Sequence, residues 1–179
     1  MNAKQQSYER AEELYCLAFL FTGDRELSVR LVLEAIDLQQ PGEVPFETGL
    51  TPSLRKEFIA KALTEIREEL FVSATRLASR QKQEGLPPVG RSLNAGTTKA
   101  QMQNVLLAMD VFPRCALLLM AFERLNLADA SVLLGSNPEL VLKGRTTALR
   151  NLTRGLARMQ NWHPPSQNTR IDREQQYAF

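Results

Sequence analysis

Residues 124–159 contain two helix signatures back to back with a very short join, and this feature constrains the fold more than any other. The first helix is predicted to follow Asn126, whose side chain can cap it, and to end at Gly135, which readily adopts the left-handed conformation that closes helices. The second is predicted to start with Asn137 as its cap and Pro138 in its first turn, where no helical hydrogen bond is lost. Two helices joined so closely predict a helix-turn-helix.

After Glu139 in its first turn, the second of these helices carries only basic charges. No Asp or Glu occurs from Leu140 to Ile171, whereas a solvated helix normally carries both signs, so that acids and bases pair along it. A long helical segment whose charged residues are all basic favours a polyanionic partner such as nucleic acid. Its predicted inner face is formed by apolar residues at helical spacing, namely Leu142, Leu149, Leu152 and Leu156.

The positions of these basic residues distinguish a contact with a ligand from an effect of the helix dipole. The dipole favours cations near a helix C-terminus, which accounts for Arg154 and Arg158. Lys143 and Arg145 occupy the first turns, where the dipole disfavours them and where DNA-binding helix-turn-helix proteins contact base edges. We therefore predict base contacts for this first pair and contacts nearer the phosphates for later arginines. The predicted DNA-binding residues are Lys143, Arg145, Thr146, Arg150 and Arg154.

The two halves of the chain differ in charge. Residues 1–90 carry 11 basic and 14 acidic side chains, whereas residues 91–179 carry 11 and 6. Cys16 and Cys115 both fall in apolar helical patterns, which favours reduced thiols in a cytoplasmic protein over a disulfide. The longest apolar runs are far shorter than a bilayer requires, so the sequence predicts no membrane span.

The first half predicts helices only. Ser7, Asp24 and Thr51 each precede an apolar pattern with helical spacing and are suited to cap it. The first helix is predicted to end at Gly23, and the third is predicted to be a single long helix that continues to Leu77. Because no strand signal interrupts these patterns, a small helical bundle is the simplest architecture.

Residues 81–98 bring together the strongest helix breakers of the chain, including Gly85, the Pro87-Pro88 pair and Gly90. Such a composition is typical of a linker. The predicted fold class is therefore all-α, with two small helical domains joined by a flexible linker. The predicted boundaries are residues 1–80 for a helical bundle, 81–98 for the linker, 99–160 for a domain ending in the helix-turn-helix, and 161–179 for a polar tail.

Local stretches in both halves match the pattern of one family. In the first half these are YCLAFLFTGD at residues 15–24 and the pairs Leu31-Val32 and Glu34-Ala35. In the second half they are residues 112–114, 116–120, 125–130 and 133–135, followed by the basic helix. In this order they resemble the promoter-melting, polymerase-binding and upstream-element-binding parts of the extracytoplasmic-function type of bacterial RNA polymerase sigma factor. The resemblance covers roughly residues 8–160.

The resemblance implies a sigma-like DNA-binding protein that directs RNA polymerase to specific promoters for transcription initiation. The implied partners are double-stranded promoter DNA, core RNA polymerase and an anti-sigma protein. In the family's polymerase-binding helix an acid usually precedes the Leu-Val pair and a glutamine follows it, and here Arg30 and Leu33 occupy those positions. The implied polymerase-binding residues are Arg30, Leu31, Leu33 and Glu34.

The sequence offers little support for catalysis. His163 is the only histidine, and the chain has no cysteine–histidine spacing for a metal, no phosphate-binding glycine loop and no nucleophile motif. We therefore expect no catalytic residues, no metal or other cofactor and no small-molecule substrate. Two alternatives to a sigma-like factor stay open: a stand-alone helix-turn-helix regulator, and a sigma-like protein-interaction module that no longer docks on polymerase.

The composition of the linker predicts where proteases cut. We expect limited proteolysis to cleave between Gln81 and Thr98 and to leave two helical fragments, because exposed Gly/Pro-rich segments are the usual nicking sites. Mass spectrometry of the fragments locates the cuts. Protection of the whole segment in the free protein would contradict the linker assignment.

Overall fold

The computed structural model describes residues 3–37, 51–80 and 97–159, and the regular structure in these ranges is entirely helical. The predicted all-α class is confirmed. The helices are α1 (Ala3–Thr22), α2 (Arg25–Asp37), α3 (Pro52–Glu65), α4 (Arg67–Ser79), α5 (Lys99–Leu107), α6 (Val111–Leu117), a π-helical turn (Leu118–Phe122), α7 (Leu127–Leu134) and α8 (Pro138–Met159).

Two predicted helix starts in the first half are confirmed by their capping hydrogen bonds. The backbone N–H of Leu27 donates to Asp24 Oδ1 at 2.9 Å, and that of Leu54 donates to Thr51 Oγ1 at 3.3 Å. Gly23, with φ of 75°, ends α1 as predicted. The predicted start at Ser7 is wrong, because α1 already begins at Ala3.

The predicted single helix from Pro52 to Leu77 is also wrong, since the backbone departs from helical geometry at Ile66 with φ of −104° and ψ of 20°. The side chain of Ile66 is nevertheless buried, so the apolar spacing continues through the break and the sequence pattern does not reveal it. Just before the break, Thr64 Oγ1 donates to the Ala60 carbonyl at 2.8 Å. Such back-bonding by threonine bends helices.

Helices from both halves of the chain share one hydrophobic core. α1 and α4 pack against α6, which in turn packs along α8. The backbone N–H of Phe112, at the start of α6, donates to the buried Ser73 Oγ of α4 at 3.0 Å. The largest fully buried side chains come from both halves and include Phe21, Leu31, Ile59, Leu77, Leu106, Phe112, Leu117 and Leu119. The predicted division into two domains is therefore not confirmed, and most of the predicted linker and the tail lie outside the described residues.

Ion pairs reinforce the contact between the halves. Arg55 of α3 binds both carboxylate oxygens of Glu123, at 2.6 and 2.9 Å, and also Glu13 of α1 at 2.7 Å. The hydrogen bond to Glu123 raises the pKa of Arg55. Arg76 of α4 and Arg80, which directly follows that helix, lie 3.4 and 3.3 Å from the carboxylate oxygens of Asp110, which precedes α6. Bidentate arginine–carboxylate pairs such as the first are the strongest of these contacts.

α5 approaches α8 closely at Gly155. A Cβ atom added to Gly155 would lie 2.4 Å from Val105 Cγ1 and 3.0 Å from Cγ2. Valine is stiff at χ1, so its two methyl groups cannot easily move away. The absence of a side chain at Gly155 is therefore a condition for the packing of α5 on α8.

We expect Gly155→Ala to destabilise the protein by about 1–3 kcal/mol through overpacking, although alanine normally stabilises a helix interior by about 1 kcal/mol relative to glycine. The free energy of unfolding, measured in urea, gives the sign. In a Val105→Ala background the same change should be stabilising, because the obstructing methyl groups are absent. Stabilisation by Gly155→Ala alone would contradict the close approach of α5 and α8.

Candidate nucleic-acid interface

α7 and α8 form the predicted helix-turn-helix, joined by the three residues 135–137. Gly135 has the predicted left-handed conformation, with φ of 56°, and the N–H of Ser136 donates to the Ser131 carbonyl at 3.0 Å, closing α7. The caps are also confirmed, since Asn126 Oδ1 accepts from the Asp129 N–H and Asn137 Oδ1 accepts from the Leu140 N–H. A glycine-containing turn of this length is typical of the motif.

α6 supports the first half of α8 through small residues. A Cβ atom added to Gly144 would lie 3.1 Å from Phe112 Cε1 and 3.3 Å from Ala116 Cβ. Val141 and Ala148, one turn away on either side, are completely buried. The helices therefore meet along a stripe with little side-chain volume, and this contact determines which face of α8 points outward.

Two of the four leucines predicted on the inner face of α8 are buried, and the other two are exposed. Leu152 and Leu156 are buried as predicted, but Leu142 is 42% exposed and Leu149 is 37% exposed. Sequence spacing favoured the leucines because they are the large apolar residues of the helix, whereas α6 packs against the small ones.

An uncharged stripe runs along part of the outward side of α8. It consists of Leu142, Thr146, Leu149 and Thr153, which follow one another at intervals of four, three and four residues and so share one face. Thr146 is half-buried and the other three are exposed. Thr153 Oγ1 donates to the Leu149 carbonyl at 3.0 Å, which satisfies its hydroxyl proton. We call these four residues the outer stripe.

Lys143, predicted to contact bases, is bound within the protein. Its Nζ donates to the Arg80 carbonyl at 2.8 Å and to the Ala78 carbonyl at 3.5 Å, at the C-terminal end of α4. A cation is stabilised there by the dipole of α4 and by unpaired terminal carbonyls. No sequence signal points to this contact, because the partners lie more than 60 residues apart.

The other predicted DNA-binding residues differ in exposure. Arg150 is buried, at 8% exposure. Arg145 and Thr146 are half-buried, and Arg154 is exposed, as is Arg158 in the last turn. These exposures favour Arg154 as an accessible cation, and the DNA contacts themselves stay predictions.

The predicted polymerase-binding residues of α2 also differ in exposure and in their contacts. Leu31 is buried in the core at 1% exposure, whereas Leu33 is 56% exposed. Arg30 pairs with Glu65 of α3 at 2.8 Å. Glu34 pairs with Lys61, also of α3, and the hydrogen bond from this lysine lowers the pKa of Glu34.

An apolar patch on α2 went unnoticed in the sequence. Val29, Leu33 and Ile36 are all exposed, and their spacing of four and three residues places them on one face of the helix. The spacing itself could have indicated the patch, but the buried neighbours Leu31 and Val32 belong to the same apolar run and obscure it. We call these three residues the α2 patch.

Within the three described ranges, no cluster of three or more His, Cys, Asp or Glu side chains is arranged to hold a metal ion. In the same ranges, no helix combines the length and apolar character needed to cross a bilayer. The outer stripe with its flanking basic residues and the α2 patch lie on the two helices that the sequence predicts to bind partners.

The contact of Lys143 predicts a role in stability. We expect Lys143→Met to lower the free energy of unfolding by about 1 kcal/mol, because it removes a charged donor from the C-terminus of α4 while retaining an apolar stem. Arg154→Met is the control, since Arg154 is exposed, and should leave the urea midpoint unchanged. Equal midpoints for the two variants would contradict a capping role for Lys143.

Comparisons of the chain with protein-family models, with curated protein sequences and with solved structures found no match. The resemblance to sigma factors therefore rests on the residues quoted for it and on the order in which they occur.

Proposed function

We propose that the chain is a sigma-like DNA-binding protein that directs RNA polymerase to specific promoters, with α7 and α8 on duplex DNA and α2 on the polymerase. One observation carries the proposal: a capped helix-turn-helix whose second helix has five basic residues and, after Glu139, no acidic one. In proteins with this motif the second helix enters the major groove.

The charge of α8 supports DNA as the partner of its outward side. Arg154 and Arg158 are exposed beyond the middle of the helix, and Arg145 is half-buried near its start. Cations spread along one helix can neutralise several phosphates of a duplex, which supplies a large share of the affinity in such complexes. The excess of basic over acidic residues in residues 91–179 also favours a polyanionic partner.

The α2 patch supports a protein as the partner of α2. Three exposed apolar side chains on one helix face gain little from contact with phosphates but much from an apolar protein surface. Arg30, which stands where the family usually has an acid, is paired with Glu65, and Glu34 is paired with Lys61. Docking on polymerase is therefore expected to depend on Leu33 and its apolar neighbours more than on charge.

A stand-alone helix-turn-helix regulator is the second candidate function. The observation that favours it is the burial of Leu31, which is one of the implied polymerase-binding residues and is not accessible on the surface. This candidate retains DNA binding through α8 and assigns the α2 patch to a different protein.

Leu33→Glu separates the two candidates. In a sigma-like factor, the change should weaken binding to core RNA polymerase by at least about tenfold, because a charge buried in an apolar interface without a partner is costly. Transcription in vitro from the upstream region of the protein's own gene should fall together with polymerase binding. The helix content, measured by circular dichroism, should be unchanged. Leu54→Glu is the matched control, because Leu54 on α3 is 47% exposed and lies off the α2 patch.

Electrophoretic shift assays with and without core polymerase complete the experiment. Failure of the wild-type chain to bind polymerase, together with binding to duplex DNA, would replace the sigma-like function with that of a regulator. Failure to bind DNA under either condition would contradict both functions and leave a protein-interaction module.

A further inference from the structure

The outer stripe of α8 is uncharged, although every charged residue of the helix after Glu139 is basic. Leu142 and Leu149 are exposed apolar residues, with Thr146 between them on the same face. We propose that these three residues recognise thymines in the major groove through contacts with the C5-methyl groups. The proposal rests on the proposed function of α7 and α8 as a DNA-binding helix-turn-helix.

Two of the basic residues of α8 are not free to read nucleobases in this structure. Specific pairing with guanine needs an arginine or lysine that reaches O6 and N7. Lys143 is bound to the Arg80 carbonyl at 2.8 Å, and Arg150 is buried. From residue 142 to residue 149, only Leu142 and Leu149 are exposed, while Arg145 and Thr146 are half-buried.

The chemistry of the groove explains why thymine is the base that fits. In the major groove, the thymine methyl group is the apolar feature that distinguishes one base pair from another, and alanine, threonine methyl and aromatic groups contact it. Leucine presents the same kind of surface. Thr146 adds a hydroxyl that can bond a base edge, whereas the leucines offer no donor or acceptor.

Helix geometry sets the spacing between the recognised bases. Leu142 and Leu149 are seven residues apart, which is about 10.5 Å along an α-helix. At about 3.4 Å of axial rise per base pair, this distance spans at most about three base pairs. Thr146 lies between the two contacts.

Charge complementarity favours DNA over a protein as the occupant of this face. The edges of the bases in the groove are uncharged, and the phosphates line both of its sides. In α8 the uncharged outer stripe is likewise flanked by basic residues, with Arg145 near its start and the exposed Arg154 near its end. A stripe that docked on an acidic protein would instead place charge at its centre.

The test combines variants of the protein with a modified base in the DNA. Duplexes are selected from a random library with the full chain, in the absence and presence of core polymerase. Uracil then replaces each selected thymine, which removes one methyl group and keeps the base pair. We expect two thymines at most about three base pairs apart, and a loss of affinity of about fourfold for each methyl group removed at these positions.

The variants assign the contacts. Leu142→Ala should abolish the difference between thymine and uracil at one position and Leu149→Ala at the other, while both variants keep wild-type affinity for the doubly substituted duplex within about twofold. Leu54→Ala, which removes a leucine of similar exposure outside α8, should preserve both differences.

Each outcome decides between the proposals. Binding to selected duplexes with no effect of uracil would overturn thymine recognition and leave the DNA-binding function standing. Loss of polymerase binding in Leu142→Ala and Leu149→Ala, with DNA binding intact, would assign the outer stripe to a protein contact. Absence of any selected duplex would overturn the proposed function and the inference together.

Discussion

A buried guanidinium joins the two halves of this protein. Arg114 on α6 is 3% exposed, and its Nη atoms donate to the Phe21 carbonyl at 3.3 Å and to the Leu107 and Met109 carbonyls at 3.4 Å. These carbonyls lie at or just beyond the C-terminal ends of α1 and α5, where helix dipoles favour a cation. Burial lowers the pKa of Arg114, and it raises the pKa of the adjacent Cys115 thiol to about 12. Arginine keeps its charge in such surroundings, so it can serve both helix ends.

The position of α6 then determines the surface that α8 presents. α6 packs against α1 and α4 on the one hand and along α8 on the other, so the helix-turn-helix is held in place by the first half of the chain. Lys143 at the end of α4 and the pairs of Asp110 with Arg76 and Arg80 strengthen this arrangement. Since the contacts involve the side of α8 that faces the core, the outer stripe stays accessible without any separation of the halves.

Local signals predicted the ends of the helices well and their interruptions poorly. Asp24, Thr51, Asn126 and Asn137 all cap helices as predicted, because a cap is a hydrogen bond between residues three positions apart. The break at Ile66 was missed, because it depends on a backbone departure that preserves the apolar spacing.

The sequence by itself determined the all-α class, the helix-turn-helix and the basic character of α8, because these depend on residue type and on contacts within a few residues. Only the tertiary structure decided how the face of α8 is used. Large leucines at helical spacing predicted the inner face, but close packing of α6 needs the small side of the helix at Gly144, so Leu142 and Leu149 point outward. Tertiary structure likewise decided that Lys143 binds α4, since a hydrogen bond across 63 residues leaves no trace in local spacing.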